Sequence, residues 1–184
     1  TGGDSEILQV LAVVDQSEVQ DGQLAQRKTR HAQVKSYARE LITDHSKSLQ
    51  QDREIAKSAK IDLSGVMMSG SKTSATKTGS DTSRSAAATA AQPSGPTGAT
   101  GVVAEVVNMH NQAMDRVRQL QGAAFDSAFV NAQIQGHQQV LSLLQSAQAE
   151  AQNPSLQQHV AAAIKGVQSH LDKGQQLQQA LASG

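Results

Sequence analysis

Apolar side chains return at every third or fourth position along nearly the whole chain, and nowhere do they alternate for long enough to suggest a strand. That rhythm puts them on one face of an α-helix, whereas a half-buried strand needs a period of two. The chain is therefore read as all-α. The first stripe is Ile7, Leu11, Val14 and Ala25, with Glu18 and Asp21/Gly22 filling its gap, which predicts a helix over about 4–28. Asp4 or Ser5 is the expected cap. A second stripe, Val34, Ala38, Leu41, His45, Leu49, Asp52 and Ile55, predicts a helix over about 31–60.

From Ser69 to Gly101 almost no side chain that could be buried is larger than alanine, so the segment cannot offset its own ordering entropy and reads as a flexible linker over 69–101. Helical spacing resumes with Val103, Val106, Val107, Met114 and Val117, a shorter helix over about 102–120, and Gly122 then breaks it. Phe129, Val130, Ile134, His137, Val140 and Leu144 share a broad face over about 124–152. Asn153-Pro154 is a start signal, an Asn cap followed by Pro in the first turn, for a last helix over about 154–182. Two long hairpins bury their stripes most simply against each other. The expectation is one four-helix-bundle domain over 4–182, with one extra shorter helix and a long low-complexity connection.

Composition narrows the chemistry. Tyr37, Phe125 and Phe129 are the only aromatic residues, which leaves a core of small aliphatic side chains and no stacking platform for single strands. Sixteen basic residues balance sixteen acidic ones, so nothing draws the chain to nucleic acid. Without cysteine, any metal must be held by His and carboxylates. No stretch approaches the roughly 18–20 apolar residues of a transmembrane helix. The start TGGDSE is the kind of small polar terminus that removal of a signal peptide leaves.

Each long helix carries one conspicuous polar residue on its apolar face: Glu18, His45, His137 and His170. His137 lies sixteen residues before Asn153 and His170 seventeen after it, so an antiparallel hairpin sets them at one height. Glu18 and His45 are eleven and fifteen residues from the turn near Thr29, a mismatch of about 6 Å at helical rise. Asp15, Asp44 and Asp126 are further carboxylates nearby. If the levels align, imidazoles and carboxylates converge on a dry interior suited to a divalent transition metal, Zn, Fe, Mn or Cu. His45, His137, His170 and Glu18 are then ligands, and Asp44 and Asp126 orient the rings from behind. The competing account of the same residues is a buried polar network that fixes helix register.

No Glu-x-x-His occurs, which argues against a di-iron carboxylate centre. His110 with Met109 and Met114 reads as a helix face using Met as filler rather than a copper site. His31 and His159 read as surface residues. No nucleophile or phosphate-loop motif is present.

The run SEVQDGQLAQRKTRHAQVKSYARELITDHSKSLQQDREIAKSAKI, with LQGAAFDSAFVNAQIQGHQQVLSLL and VQSHLDKGQQL, resembles the bacterial family catalogued as domain of unknown function 4142. The matching positions are Glu18, Gly22, Ala25, Asp44, His45, Phe125, Asp126, His137 and His170. Leu41 stands where that family usually has methionine, and the connection between halves is unusually long. The resemblance implies a ferritin-like fold and an exported, periplasmic or secreted protein, and it supplies no reaction. The expected role is binding or structural rather than catalytic, and one form of it is metal binding in the bundle core. The alternative is a non-catalytic envelope protein that meets a protein partner, its histidines serving only the core.

Overall fold

The computed structural model describes residues 3–66 and 101–183, and within them places five α-helices and no strand. They are α1 (Gly3–Lys28), α2 (Ala32–Ala59), α3 (Gly101–Gln119), α4 (Gly122–Glu150) and α5 (Pro154–Ser183). The expected linker 69–101 lies, apart from Gly101, outside the described residues.

Local chemistry sets the ends. Asn153 Oδ1 accepts from the backbone N–H groups of Ser155 and Leu156, at 2.9 and 3.2 Å, and so caps α5. Gly122 takes φ +56° where the chain turns from α3 into α4. Asp4 does not cap its own helix as expected. It lies inside α1 and its carboxylate instead accepts from the N–H groups of Gln152 and Asn153, at 2.7 and 2.9 Å, holding the α4–α5 turn against α1.

Helix α1 packs on α2, α2 on α5, α5 on α4 and α4 on α1, which closes a four-helix ring; α3 lies outside, against α1 and α4. Pairings between helices give the directions. Asp15 meets His45, Asp52 meets His159, His137 meets His170 and Gln133 meets Asp21, so every neighbouring pair in the ring is antiparallel. Lys28 reaches the Arg118 carbonyl and His110 reaches Asp21, so α3 runs parallel to α1.

The interior is divided. One apolar cluster gathers Leu8, Leu11, Ile55, Val103, Leu144 and Leu156 at one end of the ring. A second gathers Val34, Leu41, Phe125, Phe129, Ile134 and Leu177 at the other. Between them every helix of the ring contributes polar groups, and Asp15, Glu18, Asp21, His45, Gln133, His137 and His170 are all buried. Burying such groups costs several kcal/mol each unless they are paired. Apolar stripes alone do not call for that belt.

Close approach of α1 and α2 depends on Gly22. A Cβ there would sit 2.6 Å from Ile42 Cγ1 and 2.9 Å from the Ala38 carbonyl oxygen. The isoleucine can turn away, but the carbonyl is backbone and cannot. Gly22→Ala gains about 0.5–1 kcal/mol of helix propensity and meets an overpacking cost of about 1–3 kcal/mol, so net destabilisation is expected. A lowered urea midpoint checks it, and an unchanged or raised midpoint contradicts the packing argument.

Candidate metal centre

Three imidazoles meet at the middle of the belt. His45 comes from α2, His137 from α4 and His170 from α5, with ring centroids 5.1 to 5.9 Å apart. All three are nearly inaccessible, at 5%, 2% and 2% exposure, so what they face is protein rather than bulk water.

Each ring has one nitrogen occupied by an oxygen acceptor. His45 Nδ1 is 2.7 Å from Asp15 Oδ1, His137 Nδ1 is 2.8 Å from the Gln133 carbonyl, and His170 Nε2 is 2.9 Å from Asp44 Oδ2. A carboxylate or carbonyl oxygen only accepts, so each of these nitrogens carries the proton and its ring partner carries the lone pair. The lone-pair nitrogens are then His45 Nε2, His137 Nε2 and His170 Nδ1. The last two are 3.4 Å apart, His45 Nε2 is buried with no partner, and one donor atom from each ring lies within 4.8 Å of the others. Three rings thus offer lone pairs at close quarters, and among the described residues no donor meets His45 Nε2. A tetrahedral ion with bonds of about 2.0–2.1 Å sets its nitrogens about 3.3 Å apart, close to the separation of His137 and His170.

Electrostatics set His45 apart from the other two rings. Burial lowers His45, but the hydrogen bond it donates to Asp15 and the charges of Glu18, Asp15 and Asp44 outweigh it and raise its pKa. Burial, with the nearby His45 and His170, drives His137 down to about 3, and burial lowers His170 as well. Burial pushes Glu18 up to about 7, offset in part by His45.

Glu18 and the two expected orienting aspartates fall in different places. Glu18 Oε1 is 3.9 Å from His137 Nδ1, the outward nitrogen, and Oε2 is buried without a partner. It therefore sits behind the ring rather than among the converging nitrogens. Asp44, half-exposed at the α2–α5 seam, does hold His170. Asp126 is buried eleven residues from His137 on α4, about 16 Å along the axis, and meets none of the three rings. Asp15 holds His45 instead, which removes the level mismatch: counted from the α1–α2 turn, Asp15 and not Glu18 is opposite His45.

The expectation that His159 is a surface residue is wrong. It is 6% exposed, and its Nε2 is 2.8 Å from Oδ1 of the fully buried Asp52. Burial pushes Asp52 up to about 7, offset in part by its bond to His159 and reinforced by Asp15. His31 is half-buried. Met114 packs in the apolar core and His110, its pKa lowered by burial to about 4, faces Asp21 at 3.5 Å, which matches the filler reading of that helix.

A family model described as "Domain of unknown function (DUF4142)" matches residues 1–177. No curated protein and no solved structure matches. No described helix is long and apolar enough to cross a membrane.

Proposed function

Taking as premise that the chain belongs to the family described as domain of unknown function DUF4142, we propose that the protein binds a divalent transition metal ion through His45, His137 and His170. The observation that carries this is the convergence of three lone-pair nitrogens whose rings are each fixed from behind by an oxygen. That is the arrangement by which proteins orient imidazole ligands and raise their basicity. Three imidazoles suit zinc, copper or iron. Asp15, Asp44 and the Gln133 carbonyl orient the rings. Glu18 contributes charge through His137 rather than a bond to the ion. Three protein ligands leave a fourth position for water or a small ligand. The ferritin-like and exported readings, periplasmic or secreted, rest on the family resemblance and accompany this one.

A second reading is favoured by the raised His45: a proton on its Nε2 occupies the gap, and the belt is a polar network in an envelope interaction protein. Elemental analysis of protein purified without chelator separates the two. About one equivalent of metal, lost in His137→Ala, is expected from binding. Metal at trace level in the parent, with none taken up on adding Zn, Cu, Mn or Fe, leaves the network.

A further inference from the structure

Beyond the three-histidine centre lies a second group of donors that it does not use. One oxygen of Asp15, one of Asp52 and one nitrogen of His159 lie within 4.8 Å of one another, and all three residues are buried. Asp15 is 4% and Asp52 0% exposed, yet Oδ2 of each is buried with no hydrogen-bond partner. Their other oxygens are engaged, Asp15 Oδ1 with His45 and Asp52 Oδ1 with His159 Nε2, so an ion bound through that nitrogen displaces its proton. Two buried carboxylates with unsatisfied oxygens beside an imidazole favour a positive charge or a proton between them.

We propose that Asp15, Asp52 and His159 form a second divalent-cation site of the manganese or iron class. Two carboxylate oxygens and one imidazole make a harder donor set than three imidazoles, so the two sites favour different ions. Access supports the assignment. A cavity of about 280 Å³ is lined by Asp15 and His159 and, on the same walls, by His45 and His170. One chamber therefore touches two members of each group, with Asp52 and His137 set behind its walls. Asp15 is shared, with one oxygen orienting His45 and the other facing the second site. The second site does not depend on the first being filled.

Manganese(II) titration of chelator-stripped protein, read by loss of the free aqua-ion signal in electron paramagnetic resonance, tests this. The parent is expected to sequester one equivalent. Asp52→Asn, which keeps shape and removes charge, and His159→Gln are each expected to weaken that binding at least ~100-fold, beyond what loss of an orienting partner costs. His137→Ala is expected to retain it, whatever becomes of zinc in that variant. Circular dichroism confirms that each variant is folded, and the two independent variants guard against one failing to fold. The proposal is overturned if the folded parent sequesters no manganese, if both Asp52→Asn and His159→Gln bind as the parent does, or if His137→Ala abolishes binding. The first outcome indicates a shared proton between the aspartates, and the last places manganese at the three histidines.

Discussion

Zinc added to the chelator-stripped protein at about a hundredfold over its dissociation constant raises stability by about 2.7 kcal/mol. For a chain of this size that is a rise in melting temperature of roughly 5–10 °C. His137→Ala abolishes the rise. The ring of His137 is 2% exposed, contributes a nitrogen 3.4 Å from that of His170, and stands between α1 and α5. Truncating it also lowers the starting melting temperature, so the quantity to compare is the increment with zinc in each protein. Asp126→Asn is the matched control, because Asp126 is buried on the same helix but about 16 Å from the rings. A full increment in His137→Ala, or an equal loss in Asp126→Asn, contradicts the assignment. Differential scanning fluorimetry with and without chelator gives both.

The helices were legible because their three-four spacing persists even where polar residues fill the stripe, and their ends carry local chemistry, Asn153-Pro154 and Gly122 above all. His137 and His170 were legible as a pair because the turn between them is short and counts evenly to each side. Register between helices that are not joined by a short turn was not. Asp44 against His170 and Asp52 against His159 lie on one antiparallel seam, about two turns apart, but α2 and α5 are separated by more than ninety residues of chain. Even with one contact known, counting lands about three residues from the other, because the two contacts are eight residues apart on α2 and eleven apart on α5. His159 was misread because a stripe facing one neighbour leaves it outside, whereas α5 faces both α2 and α4 and buries a wider arc. Asp126 was misplaced for the opposite reason. Its burial was expected, but its height along α4 puts it in the far apolar cluster beside Phe125 and Phe129.

Glu18→Gln in metal-free protein stabilises the fold at pH 8 and leaves it unchanged near pH 4.5. Burial raises the Glu18 carboxyl from 4.5 to about 7 in the folded state. As pH rises past 4.5 the unfolded chain releases this proton first, so the native state loses stability until about pH 7 and gains nothing back above it. The limit of that loss is about 3 kcal/mol. Glutamine has the same volume and no charge to bury, so urea midpoints of the two proteins should coincide in acid and separate through neutrality, with the variant higher. His137, held down to about 3, costs the native state stability as pH falls below 6.5, but it does so in both proteins and drops out of the difference. A bound cation reverses the sign. Its charge, one ring away from Glu18, favours the ionised carboxylate, so zinc binds the parent more tightly than Glu18→Gln at pH 8. A carboxylate that weakens the empty fold and strengthens the loaded one is what a cation site requires, and a purely structural network gives no such reversal. Equal zinc affinity in the two proteins, with the pH 8 stabilisation present, assigns Glu18 to the network alone.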